Sequence, residues 1–296
     1  LTLSTLSKNP VISSFTDDTD DNAVWNNHVE LGLWADLFVV APATANTLSK
    51  MASGNSDNFL VATYLSAKCP VYFAPAMDLD MHKHPTTKTS IETLKSIGNN
   101  LIPATSGELA SGLVGEGRMA EPEAILEHIE LHVLGQLPLY GKRVLVTAGP
   151  TYEAIDPVRF IGNHSSGLMG FEIANYAAQL GAEVVLITGP THLKAKNSRI
   201  KIVPVMSADE MYTQVHAYFD AVDVAIASAA VADYKPKNAA SSKIKKSAST
   251  LSLELEKTKD ILASIGALKS HQLLVGFALE TNDEVPNAIK KLKSKN

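Results

Sequence analysis

Apolar residues along this chain fall into short unbroken runs that alternate with stretches of helical spacing. The clearest case is residues 141–190. An apolar run at 144–146 leads into the turn TAGPT at 147–151, and a polar loop follows over 152–164. SSGLMG at 165–170 then opens a helical pattern carried by Met169, Ile173, Tyr176, Ala177 and Leu180. That pattern ends at Gly181, before a second apolar run at 184–187. Strand, glycine-bearing turn, helix and strand form a βαβ unit, because parallel strands need such a crossover. The predicted helix begins on small residues, so its free backbone N–H groups can approach an anion closely, and a phosphate site is expected there. The spacing is not G-x-G-x-x-G, so the usual dinucleotide fingerprint is missing. A helix capped by Ser165 or Ser166 and holding no ligand is the plainer reading. Against it stands the long loop containing Asp156, Arg159 and Asn163, since a connection in such a unit usually takes about 2–6 residues.

The same alternation extends in both directions. Upstream, the runs at 37–40 and 71–74 are predicted strands. One predicted helix starts at Thr47 and breaks at GNSD (54–57), and a second covers 89–97 and stops at Gly98. SGELASGLVGEGRM at 106–119 is glycine-rich, poor in expected regular structure and suited to a mobile flap. Pro122 opens an amphipathic helix to about Val133, and 135–140 is the expected linker. Downstream, strands are predicted at Ile202, 224–227 and 273–277, and helices at 209–218, 261–268 and the lysine-rich end. AAVADYKP at 229–236 reads as a turn followed by a basic loop. Residues 1–27 read as loop-rich, with an acidic, solvated run at 16–21. The expected fold class is α/β, two Rossmann-like domains with mainly parallel sheets, over 1–134 and 141–296.

Composition narrows the function. The 296 residues carry 26 basic and 31 acidic side chains, a formal net charge of −5, which argues against a nucleic-acid binder. No apolar run reaches the roughly 18 residues needed to span a bilayer, so no membrane partner is expected. The single cysteine, Cys69, excludes an internal disulfide, fits a reducing, cytoplasmic setting, and is expected at a buried strand edge. The chain starts at Leu1 without a methionine and stops inside a helical pattern, so it is expected to be an internal fragment.

TAGPTYEAIDPVRFIGNHSSGLMG closely resembles the start of the phosphopantothenate–cysteine ligase domain of the bifunctional coenzyme A biosynthesis flavoproteins. The other half of that family is a phosphopantothenoylcysteine decarboxylase. HVELGLWADLFVVAPATANT, the PAM segment and SGELASGLVGEGRMAEP follow that family's order and spacing. The resemblance implies an FMN-dependent decarboxylase domain lacking its first strand and phosphate-holding glycine turn, then a ligase domain lacking its last strands. It implies FMN and Mg2+ as cofactors, with CTP, 4'-phosphopantothenate, cysteine and phosphopantothenoylcysteine as small-molecule partners. It also implies homo-oligomers, with trimeric decarboxylase contacts and dimeric ligase contacts.

Residue by residue, the resemblance makes His28 the catalytic histidine; its plainer reading is a surface histidine at a helix start. Ala43, Thr44, Asn46 and Met77 take flavin-binding positions. APATAN at 41–46 closes a strand, where open α/β sheets hold ligands, and its small side chains let a flat ring approach. Two catalytic positions depart from the family. Asp78 stands where the motif reads PAMN, and Ser111 stands where the flap carries a proton-donating cysteine. A serine hydroxyl is a far poorer acid than a thiol, and a carboxylate facing a substrate carboxylate repels it unless protonated or turned away. In the ligase half, Asn163 handles the acyl-cytidylate, and Ser165, Ser166 and Gly167 form the phosphate-facing helix start. Ala229 and Asp233 line the cytidine pocket, Phe277 flanks the nucleotide, and Lys243, Lys291 and Lys295 bind phosphate. Two alternatives stay open: an NAD(P) oxidoreductase, weakened by the missing fingerprint, and a flavin-binding regulatory subunit, which Asp78 and Ser111 keep in play.

Overall fold

The computed structural model describes residues 2–16, 25–109, 112–245, 250–278 and 282–295. Ser111 lies outside the described residues. The chain divides into two compact units, Leu1–His132 and Val133–Asn296.

In the first unit, α1 (Thr2–Ser7) and α2 (His28–Trp34) precede β1 (Phe38–Ala43), α3 (Ala45–Ser53), α4 (Phe59–Ser66) and β2 (Val71–Pro75). There follow α5 (Leu79–Lys83), α6 (Pro85–Ser96), β3 (Asn100–Leu101), β4 (Thr105–Glu108), β5 (Val114–Arg118) and α7 (Pro122–Gly135). β1, β2 and β3 make a parallel sheet in that order. Thr44 caps α3 by accepting the Thr47 N–H, and Gly54 ends it in the left-handed region at φ 71°. Val40, Leu48, Met51, Val61, Phe73 and Leu94 share one core between sheet and helices. Three expectations need correction. Residues 2–7 are helical rather than loop. The glycine-rich flap is an antiparallel hairpin, β4 against β5. Cys69 is only half-buried, in the turn before β2.

The second unit contains β6 (Arg143–Ala148), β7 (Tyr152–Ala154), β8 (Phe160–Gly162), α8 (Leu168–Gln179), β9 (Glu183–Thr188), β10 (Ile200–Pro204) and α9 (Ala208–Phe219). It continues through β11 (Val224–Ala227), β12 (Tyr234–Pro236), β13 (Leu255–Lys257), α10 (Ile261–Leu268), β14 (Leu273–Gly276) and α11 (Glu284–Lys295). The parallel five-stranded sheet has the order β10-β9-β6-β11-β14. Alternate residues of β6 face opposite sides. Val144 and Val146 pack with Phe171, Ala174 and Ala178 of α8, while Leu145 packs with Met211, Val215 and Phe219 of α9. Burial on both faces is why these strands read as unbroken apolar runs. The polar loop 152–164 holds a small antiparallel hairpin, β7 with β8, and β12 pairs with β13 in another. Residues 135–140 pack on the end of α8, with the Leu139 N–H donating to the Leu180 carbonyl at 2.9 Å. No helix among the described residues is long and apolar enough to cross a membrane.

Candidate functional site

The strand order of the second unit reverses between β6 and β11, and a crevice at the carboxyl ends of such a pair is where open α/β sheets bind ligands. The two turns leaving these strands are tied together. The Thr147 hydroxyl accepts the Ala229 N–H at 3.2 Å, and the Ser228 hydroxyl donates to the Thr147 carbonyl at 2.6 Å. The Ala230 N–H donates to the Gly149 carbonyl at 2.9 Å. Asn163 adds a further tie, its carboxamide donating to the Val231 carbonyl at 3.0 Å.

Beside this crevice, Gly167 opens α8 at φ 81°, in the left-handed region. A Cβ there would lie 3.1 Å from the Gly149 nitrogen, so the helix mouth sits against the β6 turn. The Ser165 hydroxyl accepts the Gly167 N–H at 3.2 Å, and the Ser166 hydroxyl accepts the Leu168 N–H at 3.3 Å. The serines therefore tie the turn that enters the helix while keeping their hydroxyl protons; the N-cap itself is Gly167 and carries no side-chain cap bond, so the expected serine cap of α8 is not formed.

A cavity of about 590 Å³ lies over the crevice, and Thr147, Ala229, Asp233 and Phe277 line it together with Lys295. Four residues of the predicted nucleotide set thus share one wall. Lys291 lines a neighbouring cavity of about 450 Å³ with Phe277 and Lys295. Asn163, Ser165, Ser166, Gly167 and Lys243 are not part of the larger cavity's lining. Lys295 is already engaged, 3.0 Å from a carboxylate oxygen of Asp260, which also caps α10. Two lining lysines escaped the sequence reading, Lys257 and Lys259; the only signal was the alternation in EKTKD at 256–260.

Asp156 and Arg159 have a structural task rather than a ligand-facing one. Asp156 is 3% exposed. It accepts the Arg159 guanidinium and the backbone N–H groups of Val158, Arg159 and Ile244. Arg159 in turn donates to the Ile244 carbonyl at 2.8 Å. The Arg159 guanidinium, helped by those N–H groups, holds the Asp156 carboxyl well below the usual carboxylate range. This staple fixes the chain directly after Lys243, whose own side chain is exposed.

In the first unit, the PAM segment joins the end of the sheet to the hairpin. The Ala76 N–H donates to the Ala43 carbonyl and the Met77 N–H to the Gly117 carbonyl, each at 3.0 Å. Gly117 must be glycine, for a Cβ would meet the Met77 oxygen at 2.4 Å and φ is 153°. A cavity of about 370 Å³ opens here, lined by Met77, Asp78, Glu108, Leu109, Arg118 and Met119. Asp78 caps α5 by accepting the Leu79 N–H at 2.8 Å. Ala43 is fully buried, so its side chain serves the core and only its backbone can meet a ligand. Thr44 and Asn46 are exposed at the open end of β1. His28 is the first residue of α2, with its ring edge-on to Phe15 and Phe59 at 5.7 and 6.5 Å between centroids. Its Nδ1 is buried and has no hydrogen-bond partner among the described residues. His28 is not part of the cavity lining.

Residues 139–296 match the family described as DNA/pantothenate metabolism flavoprotein C-terminal domain, and residues 3–134 match the Flavoprotein family. A cysteine/cysteine sulfinic acid decarboxylase from an unknown prokaryotic organism is 52% identical over 301 residues, which cover 100% of this chain and 83% of that protein. The coenzyme A biosynthesis bifunctional protein CoaBC of Bacillus subtilis (strain 168) is 44% identical over 298 residues, covering 100% of this chain and 73% of that protein. The chain belongs to the CoaBC family of bifunctional flavoproteins. A crystal structure of the C-terminal domain of a CoaBC protein is 49% identical, with a TM-score of 0.48, covering 53% of this chain and 74% of that one. The CoaBC-type architecture is a flavoprotein decarboxylase domain followed by a ligase domain, and both are present here.

The first unit's residues fit a flavin of the kind that CoaBC-family decarboxylase domains use. The Asn46 carboxamide and Thr44 hydroxyl stand free of the core at the sheet's open end, and His28 carries a ring nitrogen with no partner among the described residues. Among the described residues no group of His, Cys, Asp or Glu is placed to hold a metal ion.

Proposed function

We propose that this protein makes two consecutive changes to a coenzyme A precursor. In the second unit, 4'-phosphopantothenate is joined to cysteine with CTP. A carboxylate oxygen attacks the α-phosphorus, pyrophosphate leaves, and an acyl-cytidylate results. The amine of cysteine then attacks the acyl carbon, CMP leaves with the bonding electrons, and the amine's proton passes to solvent. In the first unit, phosphopantothenoylcysteine loses its carboxylate as CO2 to give 4'-phosphopantetheine. FMN, when bound, supplies the temporary electron acceptance that this bond cleavage requires. The observation that carries the reading is the switch-point cavity with Ala229, Asp233, Phe277 and Lys295 on one wall. Asp233 suits a ribose hydroxyl, Phe277 a base, and Lys295 a phosphoryl oxygen. Mg2+ would accompany the triphosphate, as it does for most nucleotide reactions. In the first unit His28 would exchange protons with the substrate through its ring, and Thr44 and Asn46 would hold the flavin's polar edge.

A second reading concerns the decarboxylase substrate, and Asp78 favours it. The relative named for cysteine and cysteine sulfinic acid acts on unacylated amino acids, each with a free ammonium group. Phosphopantothenoylcysteine has an amide there and carries only negative charge. A cavity lined by Asp78 and Glu108 repels the second kind of molecule and attracts the first, and the Arg118 guanidinium of the same lining is already paired with Glu121 at 2.6 Å.

The test incubates FMN-loaded protein with CTP, Mg2+, 4'-phosphopantothenate and cysteine and follows products by mass. Pyrophosphate and an amide product that require all components support the ligase reading. CO2 released from cysteine alone supports the second decarboxylase reading. In a parallel run with NADH added, NADH oxidation accompanied by neither CTP-dependent amide formation nor CO2 release would sink both.

A further inference from the structure

We infer that Lys257 is a phosphate-binding residue of the switch-point cavity, with a charge left for the nucleotide's phosphates to neutralise. The inference rests on the nucleotide reading of the second unit. Lys257 ends β13 opposite Tyr234 of β12, and both line the 590 Å³ cavity. Lys259 follows two positions on, and residues at that interval along an extended segment share a face.

The lysines on this wall are not equivalent. Lys295 faces Asp260 at 3.0 Å. Lys259 lies 3.7 Å from Asp209 and 4.8 Å from the centroid of the Tyr212 ring, so a carboxylate and an aromatic face share its charge. Asp209 is drawn mainly to Lys235, whose ammonium sits 2.5 Å away. The acidic neighbours of Lys257 are also committed. Glu256 lies 3.6 Å from Lys235 and Glu254 lies 2.7 Å from Lys237. Among the described residues no carboxylate, Asp233 of the same wall included, comes within 4.0 Å of the Lys257 ammonium. A cation placed on a cavity wall without a counter-ion attracts an anion at full strength, whereas a paired one must first give up its partner.

Calorimetric titration of the full chain tests this, with CTP, CMP, ATP and inorganic pyrophosphate as probes against wild type, Lys257→Gln, Lys257→Arg and Lys259→Gln. One charge-assisted contact corresponds to about a 10- to 100-fold change in affinity. Lys257→Gln should weaken CTP by that factor and CMP much less; Lys257→Arg should retain most of the affinity, and Lys259→Gln should lose less than Lys257→Gln. All these side chains are exposed, so thermal melts of the variants should match wild type. If wild type binds CTP and Lys257→Gln binds it equally well, the inference is overturned and the nucleotide reading stands. If ATP replaces CTP as the bound nucleotide and still depends on Lys257, the CTP assignment fails and Lys257 keeps its role. If wild type binds no triphosphate and no pyrophosphate, both fail.

Discussion

Asp156 accepts the backbone N–H of Ile244 at 3.1 Å across 88 positions of the chain. With the Arg159 fork closing over the same carboxylate, the β7–β8 loop and the segment after Lys243 form one body. Asp156→Asn replaces an acceptor with a group that turns an NH2 toward Arg159 or Ile244. It should lower the melting temperature and raise the apparent KM for CTP as the Lys243 segment loosens. The pH dependence follows from the depressed carboxyl. A carboxylate whose folded value lies below its unfolded one stabilises fully above the ordinary value of 3.8 and loses that contribution as pH falls through the folded value. Wild-type stability should therefore fall below about pH 4 more steeply than that of Asp156→Asn, as read by urea unfolding from pH 6 to pH 2.5. Parallel acid profiles would show that the carboxylate does not hold the loop.

Gly170 sets how closely α8 lies on the sheet. A Cβ there would meet the Ala148 Cβ at 2.5 Å and the Ser228 hydroxyl oxygen at 2.7 Å. Gly170→Ala should cost about 1–3 kcal/mol of unfolding free energy by overpacking, measured in urea, despite alanine's better helix propensity. The same substitution should displace Ser228, which ties the β11 turn to Thr147. Nucleotide affinity should drop with stability. A gain in stability would mean that the helix mouth has more room than these distances allow.

Thr44 and Asn46 separate capping from flavin contact. The Thr44 hydroxyl caps α3, so Thr44→Ala should lose about 1 kcal/mol whatever it does to flavin. Asn46 is exposed and its side chain makes no hydrogen bond among the described residues. Asn46→Ala should leave stability within about 0.5 kcal/mol and lower FMN retention, scored by flavin absorbance after desalting. Unchanged retention would remove Asn46 from the flavin's surroundings.

The parts legible in the sequence were those in which side chains, rather than backbone pairing, make the element. β6 and β9 are largely buried on both faces and, with the half-buried β11, show as apolar runs, and α8 shows through Ile173, Ala177 and the stop at Gly181. α4 was missed because FLVATYLS is apolar on nearly every side, with Phe59 to Tyr64 mostly buried, so no helical stripe stands out. The β4–β5 and β12–β13 ribbons were missed because glycine or charged residues make up much of them, and β7–β8 because its strands are only three residues each, held by backbone pairing and the Tyr152–Phe160 stack. The nucleotide wall divides in the same way. Asp233 and Phe277 sit at strand exits that the alternation locates, whereas Lys257 lies in a polar ribbon whose position only the fold supplies.

Asp78 offers the sharpest test of what the first unit acts on. It half-faces a 370 Å³ cavity that also holds Glu108 and Arg118, and its side chain caps α5. Asn caps as well as Asp, so Asp78→Asn should keep the α5 cap while removing the charge. Losing a carboxylate a few ångströms from a bound ion, in a partly solvated cavity, should change affinity by about 10-fold or more. Under the free-amino-acid reading, kcat/KM for cysteine falls by that factor and turnover of phosphopantothenoylcysteine rises. Competition between the two substrates in one vessel, with FMN-loaded protein and products counted by mass, reads the ratio directly. A ratio that does not move would show that the Asp78 charge does not reach the substrate, and the choice of substrate would then rest with groups other than Asp78.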